Sequence, residues 1–355
     1  MDDHAEHSHL GPGVPLALGS AVLFGAVAPL SKTLLGSISP WLLAGILYLG
    51  AGIGLAIFHY GRGVVGLPSI ETPLQRRDLP WLSAVILVGG VLGPLLLMFG
   101  LSLTSASTGS LLLNLEGLAT MGIAWLVFRE NVDRRLLLGA LAILVGATLL
   151  TWDGQSIRLD LGGLLIAGAC LAWGIDNNLT RKLSASDPVQ IAMLKGLVAG
   201  AVNLGLAFAS GAALPGVGHI AAGAFVGFVG IGVSLVMFML GLRHLGTART
   251  GAYYSLAPFI GALLAIAILR EPITPTLIVS GALMAFGLWV HLSERHEHEH
   301  AHEELEHEHL HVHDSHHQHE HDGPVTEPHS HWHRHEPLEH AHPHYPDLHH
   351  RHRHG

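Results

Sequence analysis

The sequence has little charge and almost no cysteine. Only 13% of its 355 residues are charged and 49% are hydrophobic, whereas soluble domains average about 25% charged residues. This composition excludes an ordinary soluble domain and indicates a membrane protein. The single cysteine, Cys170, excludes a disulfide framework and a thiolate metal site. Residues 1–13 are acidic and carry histidine, unlike the basic start of a signal peptide, so we expect the first apolar run to remain as a helix.

Ten apolar runs are each long enough, at about 20 residues, to cross a hydrocarbon core of about 30 Å. They lie at approximately 14–33, 41–59, 80–101, 106–128, 134–152, 161–181, 188–210, 219–242, 247–270 and 275–293. With both termini in the cytoplasm, eleven Lys and Arg residues fall on cytoplasmic loops and helix ends and three fall outside, as the positive-inside rule requires. The sequence therefore predicts an all-α polytopic protein of the plasma or inner membrane, with ten transmembrane helices.

The chain also contains an internal repeat. FGAVAPLSK at 24–32 matches WGIDNNLTR at 173–181, and segment 100–130 aligns with segment 241–271 at one constant offset. Each half holds five helices, and an odd number inserts the second half upside down relative to the first. Two inverted five-helix repeats are the architecture of alternating-access transporters, whose substrate site lies at the repeat interface near the midplane.

These halves resemble the EamA-type domains of the drug/metabolite transporter superfamily. The resemblance rests on the two helices just quoted and on two helices that end in Arg-Glu, LLLNLEGLATMGIAWLVFRE and YYSLAPFIGALLAIAILRE. It implies a first repeat at 14–152 and a second at 161–293, between an acidic N-terminal segment, 1–13, and a tail, 294–355. It also implies a permease for a small metabolite or organic ion, without choosing the substrate.

Ionisable residues inside the apolar runs mark the candidate solute path. Asp176 and Lys195 fall at about the same depth, roughly 10 Å below one face, so they could pair. A charge in the membrane costs roughly 3 kcal/mol or more and marks either a functional interior or a buried structural pair. Glu116, near the bilayer centre, is either a proton-binding group or a neutral residue that holds helices together. The predicted path is completed by Asn114, Asn177, Asn178, Asn203, Tyr254 and the helix-kinking Pro258.

Residues 296–355 hold 23 of the 30 histidines, interspersed with glutamate. With almost no apolar residue to form a core, this cytoplasmic tail should be disordered without a ligand. Imidazole with carboxylate suits Zn(II), Ni(II), Co(II) or Cu(II), and a solvated low-complexity tail with incidental affinity is the alternative. The predicted ligands are His296, His298, His300, His302, His307, His309, His311 and His313.

Three functions follow from these features. The first is a secondary permease, an exporter, in which a carboxylate beside an ammonium could bind a zwitterion. The second is a divalent metal transporter served by the tail, and the third is a non-transporting membrane sensor that buffers metal. No nucleophile with its base is visible, so an enzyme is not predicted. The expected partners are the lipid bilayer, a small solute and divalent metal ions, with a homodimer as an option, no nucleic acid and no required cofactor.

Overall fold

The computed structural model describes residues 13–64, 74–128, 134–152, 160–183, 186–293 and four short tail segments. It divides into two units, Met1–Leu292 and Ser293–Gly355. Within its described residues the first unit is built of helices, as the apolar runs predict.

Each half contains seven or eight helical pieces. The first half has α1 Gly13–Gly25, α2 Val27–Leu34, α3 Pro40–Val64, α4 Leu79–Val85, α5 Gly93–Leu103, α6 Ala106–Leu112, α7 Leu115–Phe128 and α8 Arg134–Thr151. The second half has α9 Leu161–Thr180, α10 Pro188–Ala209, α11 Val217–Val226, α12 Ser234–Leu245, α13 Thr247–Tyr254, α14 Ala257–Leu269 and α15 Pro275–Leu292. Two π-helical segments, Ile86–Leu92 and Gly227–Val233, join α4 to α5 and α11 to α12.

Nine helical spans in the described residues are long and apolar enough to cross a bilayer. The helix that is left out is α9, which has 20 residues but carries Asp176, Asn177 and Asn178 in succession near its end. These polar residues lower its mean hydropathy. All ten predicted runs therefore form helices, but hydropathy does not confirm the count of ten spans.

The two halves break their helices at equivalent places. The π-helical segments lie at the same offset as the repeated segments 100–130 and 241–271. The break between α6 and α7 and the break between α13 and α14 match at that offset to within one residue. Equivalent helices of the two halves also make equivalent contacts with the opposite half. Helix α1 packs on α12 and α14 of the second half, while α9 packs on α5 and α7 of the first. The fold is thus an internal repeat whose halves interlock.

Glycines bring the interlocked helices close together. Helices α3 and α10 cross at the centre of the molecule, where a Cβ on Gly196 would lie 2.7 Å from the Cα of Gly52. Helices α8 and α15 meet through Gly139, whose Cβ would lie 2.8 Å from the carbonyl oxygen of Gly287. Small residues at membrane-helix crossings allow such contact, and no site is needed to explain them.

In its described residues the second unit has four strands in two antiparallel pairs. Strand β1 Glu297–His302 pairs with β4 Leu338–Pro343, and β2 Leu305–His311 pairs with β3 His329–His335. The predicted ligands His296 and His313 lie outside the described residues. Disorder of the tail as a whole stays a prediction, because most of its connecting residues also lie outside them.

Candidate substrate cavity between the two halves

A cavity of about 180 Å³ lies where the two halves meet. The first half contributes side chains from α1, α2, α3, α5 and α7, and the second contributes α9, the π-helical segment Gly227–Val233 and α13. The lining residues are Phe24, Val27, Ala28, Leu47, Tyr48, Pro94, Leu97, Met98, Leu113, Glu116, Trp173, Asp176, Asn177, Ile231 and Tyr254. Most of the wall is apolar, and its polar groups converge from α7 and α9.

The predicted pair of Asp176 and Lys195 is present. The Lys195 Nζ atom donates to Asp176 Oδ2, which joins α9 to α10. Two glycines of the segment Ile86–Leu92 make room for the pair: a Cβ on Gly89 would overlap the Asp176 carboxyl group, and one on Gly90 would lie 3.2 Å from Lys195 Cγ. The pair is therefore held in a slot built by the first half.

The same slot contains two backbone carbonyls that accept hydrogen bonds from side chains. The N–H of Gly93 bonds to the carbonyl of Val88, and Pro94 has no N–H, so the carbonyls of Gly89 and Gly90 lose their usual helical donors. Side chains replace them: Tyr48 Oη and Trp173 Nε1 donate to the Gly89 carbonyl over 3.2 and 3.0 Å, and Asn203 Nδ2 donates to that of Gly90 over 3.4 Å.

Glu116 stands at the start of α7, directly after the break in that span. Its Oε1 atom accepts a hydrogen bond of 3.1 Å from Asn177 Nδ2, and the same amide donates to Thr120 Oγ1 over 3.1 Å. Both Glu116 and Asn177 line the cavity. The predicted cluster of Glu116, Asp176 and Asn177 thus shares one wall.

Five residues of the predicted path are absent from the cavity lining: Lys195, which reaches Asp176 from behind the wall, and the four that follow. Asn178 is buried and donates to the carbonyls of Thr120 and Gly174, so it packs α9 on α7. Asn203 is buried against the slot, and Asn114 bonds to the Leu111 carbonyl of its own span over 2.8 Å. Pro258 lies in the first turn of α14, immediately after the break that it was expected to cause. Their roles in this structure are in packing and helix geometry.

Sequence reasoning missed the aromatic part of the wall. Tyr254 was predicted, and its ring lies 5.4 Å from that of Phe24 and 4.8 Å from that of Phe238. Tyr48 and Trp173 were not predicted, although Trp173 belongs to the repeated segment WGIDNNLTR. The repeat itself was the signal, because it places Phe24 and Trp173 at equivalent positions.

The charged wall is formed by α7 of the first half with α9 and α10 of the second, and its equivalent by the repeat carries no charge. By the repeat, Asp176 is equivalent to Val27, and Lys195 is equivalent to Leu47. Glu116 is likewise equivalent to Ala257 of the second half. Val27 meets Gly230 as Asp176 meets Gly89, since a Cβ on Gly230 would lie 2.5 Å from Val27 Cγ2. Equivalent residues on the two sides of the cavity therefore pack alike but differ in polarity.

The two ends of the first unit also differ. One end, which we call the Lys32 end, holds Lys32, Thr104 and Glu271; the other, the Arg249 end, holds the start of α13. At the Lys32 end α6 packs on α14, and a Cβ on Gly261 would lie 2.9 Å from Ser110 Oγ. The residue equivalent to Ser110 is Gly251. Apart from its chain neighbours and the backbone of its own helix, no described atom lies within 4 Å of its Cβ position.

Two charged side chains hold the turn between α5 and α6 at the Lys32 end. Lys32 Nζ donates to the carbonyls of Leu101 and Thr104 over 2.5 and 2.7 Å. Glu271 accepts from the N–H groups of Ala106 and Ser107 over 2.7 and 2.8 Å. A cation at a helix C-terminus and an anion at a helix N-terminus are both stabilising. Lys32 and Glu271 therefore fix the turn between α5 and α6 and help to close this end.

The comparisons with known proteins agree with this architecture. The model of the EamA-like transporter family matches residues 11–152 and 160–293. The chain belongs to this family. The two matches fall on the two halves described above, so each half is one EamA-like unit.

Relatives of this EamA-like chain are also described as transporters. An uncharacterized transporter of Methanothermobacter thermautotrophicus is 29% identical over 286 residues, which covers 76% of this chain and 83% of the relative. The uncharacterized transporter YyaM of Bacillus subtilis is 22% identical over 290 residues, or 77% and 93% of the two chains. A solved crystal structure shares the fold with a TM-score of 0.57 at 20% identity, over 79% of this chain and 95% of that one. The family and the relatives indicate a membrane transporter and not an enzyme.

Proposed function

We propose that the protein is a secondary permease that carries a small organic solute across the membrane by alternating access. The observation that carries this proposal is the cavity between two interlocked repeats, closed at the Lys32 end and unpacked at the Arg249 end. In an inverted-repeat transporter the two conformations are related by exchanging the roles of the halves. Here Ser110 lies against Gly261 at the closed Lys32 end, whereas its equivalent, Gly251, faces open space at the Arg249 end.

We further propose export from the cytoplasm across a plasma or inner membrane. The positive-inside rule assigns the Arg249 end to the cytoplasm, so the end that is unpacked in this conformation is the one at which an exporter would take up its solute. Single cysteines at positions 77 and 158 test the orientation in cells. We expect an impermeant thiol reagent to label position 158 from outside and to leave position 77 unlabelled, and the reverse pattern would overturn this part.

The permease function is tested by profiling the solutes in the medium of expressing cells by mass spectrometry. The matched pair is the native chain and the double variant Asp176→Val with Lys195→Leu, which installs the residues found at the equivalent positions of the first half. We expect at least one solute to accumulate outside cells with the native chain and not with the double variant. Equal profiles for the native chain, the variant and empty cells would contradict the permease function.

A second function, handling of Zn(II), Ni(II) or Co(II) by the tail, is supported by strand register. Five histidine pairs stand opposite each other in the two ladders: His298 and His342, His300 and His340, His307 and His333, His309 and His331, and His311 and His329. Imidazole is a ligand that these metals favour. Within the part of the first unit that the structure describes, no group of three His, Cys, Asp or Glu residues could hold a metal. We therefore propose metal as a ligand of the tail and not as the cargo.

Cellular metal content tests that assignment. Cells would express the native chain, a chain ending at Arg295, or Asp176→Asn. We expect Zn and Ni content to follow the presence of the tail and to be the same with Asp176→Asn. A change with the native chain that reverts in Asp176→Asn would instead make metal the cargo.

A further inference from the structure

The carboxylate of Glu116 is the one charge of the cavity wall that the described residues do not neutralise. Asp176 is paired with Lys195, which balances its charge. The hydrogen-bond partner of the Glu116 carboxylate is the neutral amide of Asn177. An ionised carboxylate in an apolar site is costly unless a cation or a proton accompanies it. The cavity therefore lacks a positive charge beside Glu116.

Aromatic rings surround the same space. Phe24, Tyr48, Trp173 and Tyr254 all line the cavity. The faces of such rings attract cations, and the attraction is strongest where water is excluded. An anion would meet the Glu116 carboxylate and these ring faces together, so the wall disfavours it.

The size and polarity of the cavity narrow the class of substrate further. The volume of about 180 Å³ equals that of about six liquid waters at ~30 Å³ each, so the occupant is small. Val27, Leu47 and Ile231 form an apolar wall, which suits an apolar body attached to the charged head. A zwitterion loses the support that the sequence suggested for it, because Asp176 and Lys195 bind each other and leave no free ammonium for its carboxylate.

We propose that the cavity binds a small organic ammonium ion, with its cationic head at Glu116 and its aromatic or aliphatic body against the apolar wall of Val27, Leu47 and Ile231. The proposal rests on the permease function, whose substrate class it names. It also explains why the charged wall has an apolar equivalent by the repeat: a molecule with one charged end needs one charged wall.

Binding to the purified full chain in lipid nanodiscs tests the proposal, with calorimetry as the measurement. The probes share a phenyl body and differ in the head group: phenethylammonium, neutral 2-phenylethanol and anionic phenylacetate. For the native chain we expect phenethylammonium to bind at least tenfold more tightly than either other probe. Equal or tighter binding of phenylacetate or 2-phenylethanol would overturn the proposal, and this comparison requires no variant to fold.

Two variants then locate the head group. Glu116→Gln keeps the shape of the side chain and removes its charge, and Glu297→Gln makes the same change in the tail. We expect Glu116→Gln to lose at least tenfold in affinity for phenethylammonium and Glu297→Gln to bind like the native chain. Unchanged affinity in a folded Glu116→Gln would overturn the assignment. A chain that binds the ammonium probe but changes no solute in the medium would contradict the permease function and leave the binding assignment standing.

Discussion

At the scale of single residues, the pair of Asp176 and Lys195 raises the question whether it serves structure or transport. Breaking a buried ion pair by removing one partner is costly, whereas replacing both with apolar residues is often neutral. The chain supplies its own apolar version of the pair, Val27 and Leu47, in the other half. This offers a direct way to separate the two roles.

We expect Asp176→Val alone to destabilise the protein by about 3–5 kcal/mol, because Lys195 is left as a buried unpaired cation. Adding Lys195→Leu should restore most of the loss, as thermal unfolding in detergent would show. If the double variant is stable and still transports, the pair is structural only. A double variant that folds and does not transport assigns the pair to the solute path.

The pairing of Asp176 with Lys195 could be predicted because it required only the depth of each residue in the membrane. Asp176 and Lys195 could be paired from the sequence because both were counted from the same turn. The aromatic wall could not be predicted, since membrane helices carry aromatic residues on lipid-facing sides as well: Trp125 and Trp289 are 46% and 63% exposed. Asn203 lies outside the cavity lining and bonds the carbonyl of Gly90, which loses its usual donor at a π-helical segment that was not predicted. Its place in the solute path stays a prediction.

At the scale of helices, the closed and open ends differ by the packing of α6, α7, α13 and α14. Gly261 meets Ser110 at the Lys32 end, whereas Gly251 faces open space at the Arg249 end. The same substitution in these two glycines should therefore have different effects in this conformation.

We expect Gly261→Ala to destabilise the protein by about 1–3 kcal/mol, a typical cost of overpacking, because the new methyl group would crowd Ser110 Oγ and the carbonyl of Gly25. Gly251→Ala should leave the unfolding temperature unchanged and slow transport, since its methyl group is crowded only when the Arg249 end closes. Thermal unfolding and solute export measured on both variants check this. Equal destabilisation by the two substitutions would argue against the assigned open and closed ends.

The helix positions themselves were predictable, and the breaks inside them were not. Long apolar runs predict spans because the membrane requires a closed backbone hydrogen-bond pattern. The breaks between α6 and α7 and between α4 and α5 depend on local register and on the donors that replace lost bonds. Pro258 was the one residue from which a break was predicted, and it lies just after one.

At the scale of the whole molecule, the repeat and the histidine-rich tail are separate features. The family match covers the two halves and ends at residue 293, so the tail is an addition to the transporter part. Its proposed metal binding can be tested apart from transport.

We expect the full chain to bind Ni(II) or Zn(II) above about pH 6 to 7 and to release the metal as the pH falls through that range. Neutral imidazole ligates and protonated imidazole does not, and an ordinary histidine has a pKa of about 6.5. Calorimetry on the full chain and on a chain ending at Arg295 provides the comparison. Equal binding by both chains, or none about one pH unit above the midpoint, would refute metal binding by the tail.

Alternating access is the central claim, and distances at both ends of the molecule test it most directly. Spin labels at Ser102 and Ile273 report on the Lys32 end, and labels at Val127 and Arg249 report on the Arg249 end, all in a Cys170→Ala background in nanodiscs. We expect each pair to show a short and a long distance, with the population of the short distance at one end equal to that of the long distance at the other. A single fixed distance at both ends, or distances that lengthen together, would contradict the account.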